Sequence, residues 1–332
     1  MTAPPQTTGS AAEAHPEAIV EGVGAKAIQG RSLGQIAWMR LKRDKVALAG
    51  GVIIVVFILL AIVALLLDRV FGVLQPNVGH QELIDKSTLA PLGPFGGMSA
   101  AHPLGVEPQN GRDILTRIFV GSWISLLIAI GATLLSVAIG TAMGLLAGFF
   151  GGWVDAVIAR IMDGFLAFPL LVFAFAMAGV IPDAAFGLTG DQLRILLLIF
   201  IIGFFNWPYI GRIVRGQTLS LREREFVDAA RSLGAKNRWI LVKELLPNLV
   251  APILVYATLL MPTNILFEAA LSFLGVGVKP PTATWGGMLS DAVRYYTLPY
   301  FMLWPGLAIF VTVLAFNLFG DGLRDALDPR SR

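Results

Sequence analysis

Six long apolar stretches divide this chain and decide what it can fold into. A helix rises 1.5 Å per residue, so about 20 residues cross the roughly 30 Å hydrocarbon core of a bilayer. Charged residues make up only 14% of the chain, against about 25% in soluble domains. The sequence therefore predicts an all-α integral membrane protein with six transmembrane helices. The predicted spans are 46–67, 119–147, 155–180, 195–214, 249–275 and 299–319.

The distribution of basic residues predicts how these spans are oriented. Most of the 25 Lys and Arg residues precede the first span, separate the fourth span from the fifth, or follow the sixth. Basic residues are enriched on the cytoplasmic side of membrane proteins, so we expect the N and C termini to be cytoplasmic. Topology then accounts for the net charge of +3. We expect membrane lipid around the spans and no nucleic-acid partner.

The segments outside the spans differ in composition. Residues 1–30 are rich in Ala, Thr, Pro and Gly, which is typical of disorder, and we predict a disordered cytoplasmic tail. This tail lacks the basic start and the apolar stretch of a signal peptide. A basic cytoplasmic segment covers 31–45, and a core with five spans fills 119–332. The extracytoplasmic loop 68–118 either packs on the bundle or contacts another protein outside the membrane.

The sequence lacks the residues needed for disulfides, metal sites, catalysis and nucleotide binding. The chain contains no cysteine, which excludes disulfides and thiolate metal sites. The three histidines, His15, His80 and His102, lie far apart, and no catalytic cluster appears in the spans. The sequence also lacks the Gly-x-x-x-x-Gly-Lys-Ser/Thr loop that holds nucleotide phosphates. We therefore expect no cofactor, no metal and no catalytic residue in this chain.

A charged cytoplasmic segment interrupts the apolar pattern between the fourth and fifth spans. Within the predicted loop 215–248, the stretch EFVDAARSLGAKNRWILVKELLPN places Phe226, Ala230 and Leu233 at the spacing of one helix face. Gly234 follows them, where helix ends favour a residue that tolerates a positive φ. The pattern predicts a short amphipathic helix.

A second short helix is predicted from Asn237 to Leu245, because Pro247 cannot continue a helix. In the first helix, the small side chains of Ala229 and Ala230 would let another backbone approach closely. The pattern by itself fits two interpretations. The segment is either a docking element for a cytoplasmic protein or a loop that only connects two spans.

The fifth span carries a polar stripe. Asn264, Glu268 and Ser272 recur at intervals of four residues and therefore share one helix face. An ionisable side chain inside a membrane is expensive and faces protein or water rather than lipid. The stripe either lines a translocation path or supplies hydrogen bonds that hold the helices together.

Four glycines recur at intervals of four residues along the second span and just beyond it. They are Gly140, Gly144, Gly148 and Gly152. Small residues at this spacing allow membrane helices to pack closely. We predict a packing seam, either within this chain or with a partner.

The cytoplasmic segment resembles a known motif. DAARSLG followed by ELLPN is similar to the EAA loop of ABC importer permeases, with Asp228 where that family usually has Glu. Five further stretches resemble the C-type permease of dipeptide and oligopeptide importers, and the resemblance covers nearly everything from Ile36 onward. These stretches are AWMRLKRDKVALAG, HPLGVEPQNGRDILTRIFVG, GFFGGWVDAVIARIMDGFLAFP, EAALSFLGVGVKPPTATWGGML and GDGLRDALDP.

The resemblance implies a type I ABC importer permease fold in a prokaryotic cell membrane, with 119–332 as the permease core. It implies half of a translocation path for short peptides, partnered by a second homologous permease in a heterodimer. Two cytoplasmic ATPase subunits or domains would bind ATP and Mg, and an extracytoplasmic binding protein would deliver the peptide. The residues that would couple the permease to the ATPases are Phe226, Asp228, Ala229, Ala230, Leu233, Gly234, Leu246 and Pro247.

Two alternatives stay open at this point. A permease of the same family could carry nickel or another small solute, because selectivity would reside largely in the binding protein. A secondary transporter would belong to a different class. Such transporters usually show internal repeats and several intramembrane charges, whereas Glu268 stands almost alone in these spans.

Overall fold

Long helices dominate the fold. The computed structural model describes residues 33–178, 184, 185 and 187–328, so the predicted tail 1–30 lies outside the described residues. The helices are α1 (Leu33–Leu41), α2 (Lys45–Arg69), α3 (Ile114–Phe150), α4 (Gly152–Ala167), α5 (Leu170–Ala178), α6 (Gly190–Leu221), α7 (Glu225–Ser232), α8 (Asn237–Trp239), α9 (Leu246–Phe273), α10 (Trp285–Val293) and α11 (Pro299–Leu327). Shorter elements are 3₁₀ turns at Gln81–Leu83 and Pro94–Gly96, a hairpin of β1 (Ala184–Ala185) and β2 (Leu188–Thr189), and a π-helix at Ile240–Leu245.

Five described helices are long and apolar enough to cross a membrane. They are α2, α3, α6, α11 and the continuous run from α8 through α9. α4 and α5 are bent by 76° relative to each other and form either one broken span or a re-entrant loop. The bend falls at Phe168 and Pro169, because proline lacks an N–H and disfavours a helical conformation in the preceding residue. Among the described residues, five of the six predicted spans are therefore present as long helices, and the predicted third span corresponds to this bent pair.

Most helices extend beyond the predicted apolar windows. α3 begins at Ile114 rather than at residue 119, and α6 continues to Leu221 rather than ending at residue 214. The Asp113 carboxylate caps α3 by accepting a hydrogen bond from the Thr116 N–H at 2.7 Å. Hydropathy marks only the part of a helix that lies in hydrocarbon, so the polar helix ends outside it were not predicted.

α3 and α6 pack along the glycine seam. Gly140, Gly144 and Gly148 of α3 lie so close to α6 that an added methyl group would meet α6 atoms at 2.6–2.7 Å. An added methyl group at Gly152 would meet nothing within 4 Å. The predicted seam therefore lies within this chain and uses three of the four glycines.

α9 lies in the middle of the bundle and packs against α3, α6, α10 and α11. α2 packs along α11, where Gly50 lies against the backbone of Ala315 and Gly322 lies against Ala47. The resulting core between α2, α3, α9, α10 and α11 contains Ile54, Leu126, Ile265, Trp285 and Phe316.

The outer loop is fastened to the bundle by buried charges. Glu107 forms ion pairs with Arg112 and Arg117, and all three side chains are almost completely buried. The Arg117 guanidinium also donates to the Asn77 side chain at 3.0 Å and to the Pro281 carbonyl at 3.1 Å. Because Arg117 belongs to α3, these bonds join the loop to the spans, and the loop packs on the bundle.

We expect Gly144→Val to destabilise the bundle, because its side chain would overlap the Gly211 carbonyl of α6. Overpacking of this kind typically costs about 1–3 kcal/mol. The matched control is Gly216→Val, since Gly216 is also helical but has no atom within 4 Å of an added methyl group. Thermal unfolding of both purified variants in detergent measures the difference. Equal melting temperatures for the two would contradict a tight α3–α6 contact.

Candidate functional site

The charged cytoplasmic segment forms a short helix that is attached to the inner end of the bundle. α7 follows α6 after a three-residue turn. Its Val227 and Ala230 side chains are buried in one apolar cluster with Ile240, Leu245 and Leu249. This cluster holds α7 against the chain that leads into α9.

The outward side of α7 exposes apolar groups to the cytoplasm. Leu233 is 88% exposed and Trp239 is 48% exposed. Together with Ala230, Gly234, Ala235 and Lys236, they line a cavity of about 410 Å³. An exposed leucine and tryptophan around a concave surface are typical of a protein-binding site.

The predicted apolar face of α7 was partly wrong. Ala230 points into the bundle and Phe226 is half-buried, whereas Leu233 points outward. The α-helical pattern stops at Ser232, and Leu233 has the non-helical backbone angles φ −79° and ψ 2°, so the seven-residue spacing no longer predicts its direction. Val227 takes the expected place of Leu233 on the buried face.

Of the two alanines predicted to lie on the surface of α7, only one is exposed. Ala229 is exposed, but Ala230 packs on this chain and is buried, so it adds little surface to the cavity. Asp228 is exposed, and its carboxylate lies 3.5 Å from the Arg231 guanidinium. Gly234 has a φ of +79°, as expected for the residue that ends a helix.

The second predicted helix does not end at Pro247. α8 continues through the π-helix into α9, so the chain is helical from Asn237 to Phe273. The Leu246 N–H donates to the Leu241 carbonyl five residues earlier, and Pro247 falls in the first turn of α9. The chain passes Pro247 without a break, and the π-helix directly before it changes the local hydrogen-bond register. Leu246 is half-buried and Pro247 is exposed.

Ion pairs tie the inner ends of the neighbouring helices together. The Arg215 guanidinium of α6 binds both carboxylate oxygens of Asp155 in α4, one of them at 2.7 Å. Arg212 of α6 pairs with Asp163 of α4 at 2.5 Å. Arg222, in the turn before α7, donates to the Gly148 carbonyl of α3 at 2.9 Å. The turn before α7 is therefore bonded to α3, and the inner half of α6 is bonded to α4.

The first residue of the polar stripe belongs to a hydrogen-bonded bridge between three spans. The Asn264 side chain of α9 accepts from Asn206 of α6 at 2.8 Å and donates to Thr133 of α3 at 2.8 Å. All three side chains are buried. Sequence analysis missed Asn206 and Thr133, although an asparagine in an apolar span was a usable signal.

The other two residues of the stripe lie where α9 meets α3 and α10. Glu268 is completely buried, and its carboxylate accepts a hydrogen bond from the Ser272 hydroxyl at 2.9 Å. The second carboxylate oxygen, Oε2, has no hydrogen-bond partner among the described residues. Nearby, the Trp285 N–H of α10 donates to the Ser125 hydroxyl of α3 at 3.3 Å. The structure thus places the whole stripe inside this chain's own bundle.

Comparison with known protein families identifies the class of this chain. The profile of the binding-protein-dependent transport system inner membrane component matches residues 140–332. The profile of the N-terminal TM domain of oligopeptide transport permease C matches residues 32–76. The chain therefore belongs to the family of inner membrane components of binding-protein-dependent transport systems.

Individual relatives match the chain along almost its full length. The dipeptide transport system permease protein DppC of Alkalihalophilus pseudofirmus is 41% identical over 297 residues, which covers 89% of this chain and 90% of the relative. The oligopeptide transport system permease protein OppC of Haemophilus influenzae is 36% identical, with 95% and 94% covered. The glutathione transport system permease protein GsiD of Pectobacterium atrosepticum is 38% identical, with 88% and 90% covered. This chain is a permease subunit and a multi-pass inner membrane protein.

A solved structure shares the fold. The inward facing MetNI methionine ABC transporter aligns with a TM-score of 0.52 and 19% identity, covering 65% of this chain and 98% of the MetNI chain. At this identity the likeness concerns the fold alone. It confirms the predicted type I ABC importer permease architecture.

Replacement of Glu268 separates a hydrogen-bonding role from a charged one. Glu268→Gln keeps an oxygen that accepts from Ser272, so we expect wild-type amounts of folded chain in the membrane. Glu268→Leu leaves the buried Ser272 hydroxyl without its acceptor and should lower stability by about 1–3 kcal/mol. Membrane abundance and thermal unfolding in detergent measure both effects. If both variants lose the same amount of membrane abundance and thermal stability, the charge of Glu268 itself is required.

Proposed function

We propose that this chain forms half of the translocation path of an ATP-driven importer for short peptides. The observation that carries the proposal is the near full-length match to permeases named for dipeptides, oligopeptides and glutathione. These three solutes are all short chains of amino acids joined by amide bonds. An extracytoplasmic binding protein delivers the peptide, and a second, homologous permease completes the path as a heterodimer.

The energy for transport comes from partner subunits. The sequence has no phosphate-binding loop of its own, and the described residues contain no cluster of His, Cys, Asp or Glu that could hold a metal. Two cytoplasmic ATPase subunits or domains bind ATP and Mg and hydrolyse the nucleotide. This chain acts as a permease without a catalytic site.

α7 couples ATP hydrolysis to transport. Leu233, exposed directly after α7, and the neighbouring Trp239 fit a groove in an ATPase subunit, while Val227 and Ala230 hold the helix to the bundle. When the ATPases close, they move α7, and the ion pairs at the inner helix ends carry this motion into the spans. The two permeases then switch as rigid bodies between inward-open and outward-open states.

The polar stripe serves this switching as a structural joint. Asn264, Glu268 and Ser272 are buried among α3, α6, α9 and α10, which supports a role in holding the bundle over direct contact with substrate. Glu268→Gln tests the alternative that the stripe lines the path. If this variant takes up cationic, neutral and anionic peptides in ratios that differ from those of the wild type, Glu268 lies in the path.

Reconstitution tests the proposed function. We expect proteoliposomes with this chain alone to take up no peptide under a proton gradient, a sodium gradient or internal and external ATP. Addition of the second permease, the ATPases and the binding protein should give ATP-dependent uptake of short peptides. Proton-driven peptide uptake by the isolated chain would identify a secondary transporter. Uptake of nickel in place of peptides by the full set would identify the other family function.

Leu233→Asp should uncouple the ATPases from the bundle without unfolding it, because this side chain is exposed. Loss of a central interface contact typically costs about 2 kcal/mol or more, which weakens binding about 30-fold. The matched control is Ser232→Asp, which adds the same charge at the adjacent exposed position. Co-purification of the ATPases and peptide-stimulated ATP hydrolysis measure the effect. Wild-type values for Leu233→Asp would rule out α7 as the coupling helix.

A further inference from the structure

A long part of the outer loop contains no charged side chain. Between Lys86 and Glu107 the sequence reads STLAPLGPFGGMSAAHPLGV, without Asp, Glu, Lys or Arg. We call residues 87–106 the uncharged loop. Loops that face water on all sides are rich in charged and polar residues, so this composition needs a physical cause.

The uncharged loop exposes large apolar side chains. Phe95 is 72% exposed, Leu92 is 48% exposed and Met98 is 45% exposed. A contiguous apolar patch of this kind usually marks a contact with protein or membrane.

The backbone holds these side chains outward. Phe95 has a φ of +50°, and the glycines at 93, 96 and 97 also have positive φ values. A bulky residue with positive φ is rare and persists only where its surroundings fix it. Here the Leu92 N–H donates to the Leu83 carbonyl at 2.7 Å, and the Val106 N–H donates to the Gly96 carbonyl at 2.9 Å. The exposure of Phe95 is therefore a fixed property of the loop.

The uncharged loop lies level with the outer end of a spanning helix. Gly96 packs directly on the Tyr300 ring in the first turn of α11. A cleft of about 680 Å³ separates Phe95 from Tyr296, Met302 and Leu303, and almost all of its lining is apolar. Since α11 enters the membrane here, the cleft lies at the boundary between water and hydrocarbon.

The cleft adjoins an apolar side of the bundle. Among the described residues, α2 is the most hydrophobic and the least buried of the five long apolar helices, and α2 packs along α11. α11 continues the apolar lining of the cleft with an exposed strip formed by Leu303, Leu307, Phe310 and Leu314. An acyl chain that lies along this strip reaches the cleft at its outer end.

We propose that the uncharged loop is inserted into the outer surface of the bilayer and that the cleft between Phe95 and Leu303 binds the acyl chain of an outer-leaflet phospholipid. Apolar side chains stabilise such shallow insertion, and the exposed Tyr296 suits the headgroup region, where tyrosine is enriched. Through Gly96 and the buried ion pairs of Glu107, the lipid contact holds the outer ends of α3 and α11 at a fixed depth.

Site-specific fluorescence tests the insertion, and the absence of native cysteine allows single labels. Phe95→Cys is labelled with the environment-sensitive dye NBD, and the full chain with its partner subunits is placed in phosphatidylethanolamine–phosphatidylglycerol vesicles. We expect blue-shifted emission that is quenched by doxyl-labelled phospholipid and protected from aqueous iodide. The matched control is Lys86→Cys, an exposed charged position next to the loop. Its label should be quenched by aqueous iodide and not by doxyl-labelled phospholipid.

The remaining outcomes overturn the proposal. Iodide quenching at position 95 equal to that at position 86 would place the loop in water. Protection from both quenchers would mean that a protein, such as a partner permease or the binding protein, covers the cleft. Met98→Cys, at another exposed apolar position of the uncharged loop, repeats the measurement and keeps the test valid if Phe95→Cys reduces assembly.

Discussion

The contact between α3 and α6 at three glycines is the interaction on which the other parts of this permease depend. In hydrocarbon, helices gain little from the hydrophobic effect, so close backbone packing supplies much of the attraction between them. Gly140, Gly144 and Gly148 allow that approach. α3 also carries Arg117, which fastens the outer loop, and α6 leads into α7, the proposed coupling helix. The outer loop and α7 are thus attached to the same pair of helices.

From this pair, polar contacts extend to the rest of the bundle. At the inner ends, Arg215 and Arg212 join α6 to α4, and deeper in the spans Asn264 joins α9 to both α3 and α6. Buried polar groups are costly unless they are paired, so the buried bonds of Asn264 favour one arrangement of the helices. In the proposed function, α7, attached by Val227 and Ala230, moves this bundle as one unit.

The outer surface follows a different principle. There Glu107 pairs with Arg112 and Arg117 in a buried cluster, while the uncharged loop contains no Asp, Glu, Lys or Arg. The exposed apolar side chains of the uncharged loop lie next to the outer end of α11. In our proposal these side chains contact the membrane surface.

The sequence by itself determined the class of fold and the place of the charged segment between the fourth and fifth spans, because hydropathy and the EAA-like motif are properties of short stretches. The position of Gly234 at a helix end was also local, since it depends on one backbone angle. Only the tertiary structure decided that Leu233 points outward while Ala230 points inward, that Pro247 leaves its helix intact, and that the bond partners of Asn264 are Asn206 and Thr133. These three features depend on contacts between residues that are distant in the chain or on the exact hydrogen-bond register. A periodic sequence pattern shows neither the distant contacts nor the register.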